Sequence, residues 1–125
     1  MQRLGDILEI LECELAFASS GGYRSPNSWR ARLIFEDSPI CCKNRAGGCP
    51  RDKCILIGFV PRESLNEPIP CRYIPLTESG EALDTLYRTA TNGEIERCLR
   101  KWLRMTINQL REERQTVARP NKAAA

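Results

Sequence analysis

The residues in this chain best suited to chemistry are its cysteines, which concentrate near the middle. Four of the seven cysteines fall within residues 40–54, and a fifth, Cys71, follows the next apolar run. Because the chain contains no histidine, a tetrahedral zinc site here would draw its ligands chiefly from thiolates. Intervals of six, four and sixteen residues separate the four predicted metal ligands, which are Cys42, Cys49, Cys54 and Cys71.

The cysteine spacing leaves other chemistries open, because none of these intervals is the C-x-x-C knuckle typical of zinc sites. Thiolates also hold iron–sulfur clusters. A reversible disulfide, for example between Cys54 and either Cys42 or Cys49, would make a redox switch. In the last alternative the cysteines are small apolar residues at strand ends. Zinc is thus the predicted cofactor, with an iron–sulfur cluster or no cofactor as the alternatives.

Positive charge surrounds these cysteines. Residues 43–53 contain four cations and one anion, so this loop accounts for the whole formal net charge of +3. Clustered cations lower the pKa of nearby thiols and can contact a polyanion. Basic positions on a predicted strand and on the last predicted helix extend this partner-binding surface. Its members are Arg30, Arg32, Lys43, Arg45, Arg51, Lys53, Arg97, Lys101 and Arg104.

Recognisable catalytic machinery is missing from the sequence. Without histidine the chain can form neither a Cys-His pair nor a Ser-His-Asp triad. It also lacks a phosphate-cradling glycine loop followed by Lys-Ser/Thr, and it lacks a G-x-G-x-x-G pattern. We therefore expect a protein that is not an enzyme.

Composition predicts one domain. A chain of 125 residues with 42% hydrophobic and 28% charged residues is typical of a soluble globular protein. We expect a single domain over residues 1–119 and a disordered tail over 120–125, with terminal alanines that resemble a cloning remnant. No run approaches the roughly 20 apolar residues of a membrane span, and acidic residues interrupt any signal-like start. A cytoplasmic location follows as an expectation.

Apolar spacing predicts an α+β fold. Residues 4–18 follow helical spacing, which predicts an N-terminal helix with Cys13 in the core and a glycine end at residues 21–22. Residues 29–36 alternate between apolar and polar, and residues 54–60 and 71–74 are rich in β-branched and aromatic types. We expect these three segments in an antiparallel sheet of three to four strands that carries the cysteine-rich loop.

Two helices are predicted after this sheet. Thr77 or Ser79 is expected to cap the first of them, which would turn Leu83, Leu86 and Tyr87 inward. Thr91 and Glu94 match a capping box, which opens a longer helix over residues 94–113. That helix has an apolar side formed by Ile95, Cys98, Leu99, Trp102, Leu103, Ile107 and Leu110, and a basic side formed by Arg97, Lys101, Arg104 and Arg111. The apolar side is expected in the core, and the helix could also pair with a second copy to form a homodimer.

The stretch 73–83 contains a Leu-Thr-x-x-Gly pattern between an apolar run and a predicted helix. It resembles the passage from the last wing strand into a helix in winged-helix regulators. The region before it departs from that family, because predicted strands and cysteines stand where a recognition helix would be. No function is inferred from the resemblance.

These observations predict a small regulatory or accessory binding protein. Its cysteine-organised, basic loop would bind a negatively charged partner, with nucleic acid ahead of an acidic protein surface. The alternative prediction is a redox-sensing or iron–sulfur accessory protein that acts through protein–protein contacts.

Overall fold

The computed structural model describes residues 4–23, 33–38 and 54–118. These residues contain three α-helices and three short 3-10 helices, joined by turns and loops. The α-helices are α1 (Leu4–Ser19), α2 (Leu83–Thr89) and α3 (Asn92–Ala118). The 3-10 helices span Ile55–Phe59, Arg62–Ser64 and Pro70–Tyr73.

The predicted α+β fold is wrong, because the described residues contain no β-strand and therefore no sheet. Two of the predicted strands are 3-10 helices instead. In the first, the Ile57 and Val60 N–H groups donate to carbonyl oxygens three residues earlier, at 3.2 and 3.1 Å. The second begins at Pro70, whose fixed φ suits the first position of a helix and whose ring nitrogen has no proton to donate to a neighbouring strand.

The third predicted strand, residues 29–36, is described only from residue 33, where the chain forms a turn over residues 33–38. In a sheet, the backbone N–H groups of this segment would donate to the carbonyls of a neighbouring strand. Here two of them donate to side-chain hydroxyls. The Ile34 N–H donates to the Tyr87 hydroxyl at 2.9 Å, and the Phe35 N–H donates to the Tyr23 hydroxyl at 3.0 Å. Phe35 has a φ of +64°, which an extended strand does not contain.

Helix α1 agrees with its prediction in extent and in its glycine end. Gly21 has a φ of +82°, and its N–H donates to the Ala18 carbonyl at 3.3 Å while the Gly22 N–H donates to the Phe17 carbonyl at 2.8 Å. This pair of bonds is the Schellman motif, which satisfies the last carbonyls of a helix. The prediction that Cys13 lies in the core is wrong, because Cys13 is on the exposed side of α1.

Helix α3 begins with the predicted capping box. The Thr91 N–H donates to the Glu94 carboxylate at 2.8 Å, and the Glu94 N–H donates to the Thr91 hydroxyl at 3.2 Å. These bonds lower the pKa of Glu94. The predicted caps of α2 are wrong, since α2 begins at Leu83 after Ala82 without a side-chain cap.

Helices α1 and α3 pack against each other and form one part of the core, which also includes buried residues of the turn at 33–38, of residues 56–76 and of α2. The predicted apolar side of α3 provides four of the buried residues, namely Ile95, Leu99, Leu103 and Ile107. Helix α1 adds Leu8 and Leu11 from one face. Because α1 covers this side of α3 within one chain, the homodimer through residues 94–113 stays a prediction.

The described helices include none that is both long enough and apolar enough to cross a membrane.

Candidate functional site

Four cations lie close together on one face of α3. An α-helix turns by about 100° per residue, so the positions 97, 100, 101 and 104 fall within an arc of about 100° and a length of about 10 Å. Arg97, Lys101 and Arg104 are exposed, and Arg100 is partly exposed. We name Arg97, Arg100, Lys101 and Arg104 the basic stripe.

Among the described residues, few acidic side chains interact with the basic stripe. Arg100 Nη1 lies 3.9 Å from Glu96 Oε1, at the limit of an ion pair. Arg97 helps to lower the pKa of Glu94, after the stronger effect of the hydrogen bonds from Thr91. Within residues 4–23, 33–38 and 54–118, no ion pair involves Arg97, Lys101 or Arg104.

The fourth predicted cation on this side, Arg111, has a structural role instead. Its guanidinium forms an ion pair with the Glu12 carboxylate of α1. The pair joins the two long helices beyond the end of the basic stripe, so Arg111 is engaged within the chain.

A groove of about 420 Å³ runs beside the basic stripe, between α3 and the turn that precedes α2. Five of its ten lining residues are apolar and five are polar or charged. The lining residues are Pro75, Leu76, Thr77, Glu78, Cys98, Lys101, Trp102, Met105, Thr106 and Gln109.

The α3 wall of this groove is a helical row. Cys98, Trp102, Met105 and Gln109 follow one another by three or four residues, which places them along one side of the helix over about 16 Å. Met105 is 46% exposed and is the one large hydrophobic side chain that is exposed among the described residues. Lys101 belongs both to the groove and to the basic stripe, so the two surfaces are continuous.

The opposite wall is a closed turn. The Leu76 N–H donates to the Glu81 carbonyl at 2.8 Å, and the Gly80 N–H donates to the Thr77 carbonyl at 3.0 Å. Gly80 has a φ of +86°, which a side chain would strain. The Thr77 hydroxyl also accepts the Glu81 N–H at 3.0 Å. These bonds, all within residues 76–81, fix the conformation of the turn that forms this wall.

Trp102 connects the groove to the core. Its ring meets the rings of Phe35 and Phe59 edge to face, with centroids 6.1 and 5.3 Å apart. Such contacts add stability beyond the buried area. The position of Trp102 therefore depends on the turn at residues 33–38, which contains Phe35.

A buried carboxylate holds one side of that turn. Glu14 of α1 is fully buried, and it accepts hydrogen bonds from the hydroxyls of Tyr23 and Ser38. Burial raises the pKa of Glu14, and the two hydrogen bonds only partly oppose this. Burial, followed by the charge of Glu14, raises the pKa of Tyr23.

A second buried carboxylate holds the other side of the turn. Both Glu36 oxygens accept from the Arg72 guanidinium, at 2.7 Å from Nε and 3.0 Å from Nη2. The bond to Glu36 raises the pKa of Arg72. The Tyr87 hydroxyl accepts the Ile34 N–H. Burial raises the pKa of Tyr87 to about 12. No buried side-chain nitrogen or oxygen in the described part of the chain lacks a hydrogen-bond partner. The two buried carboxylates and their donors therefore stabilise the fold.

The predicted cysteine site is described only in part. Cys42 and Cys49 lie outside the described residues. Cys54 and Cys71 are half-buried against the core, on segments that pack together, because the 3-10 helix after Cys54 contacts the one that contains Cys71. Among the residues that the structure covers, no group of three or more metal-ligating side chains could hold an ion. The zinc centre stays a prediction.

Six of the nine predicted partner-binding cations also lie outside the described residues, and they stay predictions: Arg30, Arg32, Lys43, Arg45, Arg51 and Lys53. The structure brings the other three, Arg97, Lys101 and Arg104, onto one face. Sequence reasoning missed Arg100 and the groove, and it placed Cys98 in the core, whereas Cys98 is half-buried at the groove. The sequence signal for the groove was Met105, an apolar residue that belongs to neither the predicted apolar side nor the predicted basic side of the helix.

A scan against protein-family models, a search of curated proteins and a search of solved structures found no match to this chain. The inferences about function below therefore depend on the geometry of α3 and its surroundings.

Proposed function

We propose that the protein is a non-enzymatic accessory or regulatory protein, and that it binds an acidic segment of another protein through the basic stripe of α3. The observation that carries this proposal is that the three exposed cations, Arg97, Lys101 and Arg104, share one helix face and form no ion pair in the described part of the chain. Charges left unpaired on one face steer and orient an oppositely charged partner.

The size of the stripe favours a protein over nucleic acid. Within the described residues, the four cations over about 10 Å supply fewer charges than the roughly 6–10 phosphate contacts that a DNA-binding protein can make. Glu94 lies on the same helix and Glu78 lines the adjoining groove, so a long polyanion that continues past the stripe would meet repulsion there, whereas a short acidic segment can end at the stripe. Nucleic acid remains the second candidate, because arginines on an exposed helix face also suit phosphates.

The expected contribution of the stripe is moderate. Exposed ion pairs are each worth about 0.2–1 kcal/mol and are screened by salt. Three such pairs therefore account for roughly a tenfold change in the dissociation constant, and they act mainly on the association rate.

The test is a comparison of two anionic probes by fluorescence anisotropy. One probe is a labelled acidic peptide of about 15 residues, and the other is a labelled random-sequence DNA duplex. Neutralising the stripe with Arg97→Gln, Lys101→Gln and Arg104→Gln together is expected to weaken peptide binding about tenfold. The control is the double variant Arg62→Gln and Arg88→Gln, which removes two exposed cations that are not part of α3 and should bind as the unchanged protein does.

Each outcome of this comparison decides something. Tighter binding of DNA than of peptide, with an affinity that falls by more than a factor of ten between about 50 and 200 mM salt, would transfer the site to nucleic acid. Equal binding by the stripe variant and the control variant would show that the stripe is not the site. Absence of binding to both probes would overturn the proposal.

A further inference from the structure

We infer that the groove beside the basic stripe receives the apolar side chains of the same partner, so that the partner segment is an amphipathic helix with one acidic and one apolar side. This inference rests on the proposed function, because it assigns the chemistry of the segment that the stripe attracts.

The groove and the stripe form one surface along α3. Lys101 and Met105 are one helical turn apart, and about 40° separates them around the helix axis. On one side of this line lie the cations, and on the other lie Cys98, Trp102 and Gln109. A helix that packs along this line would place one side in the groove and the neighbouring side over the stripe.

The dimensions of the groove suit a helix. The row from Cys98 to Gln109 extends for about 16 Å, which equals about three turns of a partner helix. Apolar residues at every third or fourth position of such a helix would reach the groove in two or three places. The exposed Met105 side chain is long and flexible, and methionine adapts to partner side chains of different shapes.

Other occupants fit this surface less well. A nucleic-acid base would need a free aromatic face, whereas the ring of Trp102 is already packed against Phe35 and Phe59. A second copy of the chain that presented the same surface would bring the two basic stripes together. Charge complementarity therefore favours a partner that carries acidic residues next to its apolar side.

The experiment uses two acidic peptides of the same composition. In the first, leucines recur at helical spacing on one side and glutamates occupy the other, and in the second the same residues are reordered so that no apolar side forms. We expect the first peptide to bind at least tenfold more tightly. Met105→Gln should remove most of that advantage, whereas Met105→Leu, which keeps an apolar side chain of similar size, should retain it.

The peptides separate this inference from the proposed function. Equal affinity for the two peptides, with binding still dependent on the basic stripe, would overturn the groove inference and leave the proposed function standing. Loss of binding in both methionine variants alike would also overturn it, since an apolar contact predicts that leucine rescues binding. Absence of binding to either peptide would overturn the proposed function itself.

Discussion

Replacing the fully buried Glu14 with alanine is expected to lower the free energy of unfolding by about 3 kcal/mol or more. The carboxylate is fully buried and accepts hydrogen bonds from Tyr23 and Ser38. Its removal leaves two buried hydroxyls without their acceptor, at about 1–3 kcal/mol each, and also leaves a cavity. Urea denaturation followed by circular dichroism measures the change.

The glutamine variant separates the charge of Glu14 from its hydrogen bonds. Burial raises the pKa of Glu14 above its ordinary value of 4.5, so the folded protein retains this proton at pH values where the unfolded chain has lost it. The stability that Glu14 contributes is therefore present below the unfolded pKa and is lost as the pH rises through the folded pKa. We expect Glu14→Gln to lose less stability than Glu14→Ala, and its stability relative to the unchanged protein should rise with pH over that interval. A difference that is independent of pH would contradict a raised pKa.

Replacing Arg72 with methionine is the second change expected to have a large effect, of about 3 kcal/mol. Glu36 is 2% exposed, and Arg72 binds both of its carboxylate oxygens. Methionine fills a similar volume but removes the guanidinium that neutralises a buried charge. Arg72→Lys should be intermediate, because it retains the charge but lacks the planar fork of donors.

A matched control for Arg72 is Arg62→Met, which replaces an exposed arginine on a neighbouring 3-10 helix. We expect Arg62→Met to change stability by no more than about 0.5 kcal/mol. Should Arg72→Met unfold at the same urea concentration as Arg62→Met, the bidentate pair would have no role in holding the turn at residues 33–38.

The sequence predicts those parts of the fold that are determined by residues close to one another in the chain. Helix α1 and the core side of α3 follow from apolar residues at helical spacing, and the start of α3 follows from Thr91 and Glu94, three residues apart. Each of these signals lies within one or two turns of chain. The glycine end of α1 is equally local, since Gly21 has the positive φ that the motif requires.

The strand over residues 29–36 was predicted wrongly because distant residues decide the conformation of its described part. The strand was predicted from the pattern of residues 29–36, yet the N–H groups of Ile34 and Phe35 donate to the hydroxyls of Tyr87 and Tyr23. Only the folded chain brings these tyrosines to the turn. Where β-rich composition and tertiary packing disagree, packing prevails.

Of the two surfaces in the candidate site, the sequence predicted part of the basic stripe and did not predict the groove. Three cations on one helix face are visible from helical spacing, but the groove needs the turn around Thr77 and Glu78 to lie against α3. Glu14 is a similar case, because it looks like one of several surface glutamates of α1 and is instead fully buried. Neither the position of this turn against α3 nor the burial of Glu14 can be deduced from residue spacing along a single helix.

The central claim is that α3 presents one continuous partner-binding surface, formed by the basic stripe and the groove. The most direct test is to map the backbone amide chemical shifts of the isotope-labelled protein while the amphipathic acidic peptide is added. Together the two surfaces predict shift changes that concentrate at residues 97–109 and 76–78, on both sides of Lys101. Changes confined to other parts of the chain, with residues 97–109 unaffected at saturation, would contradict the account.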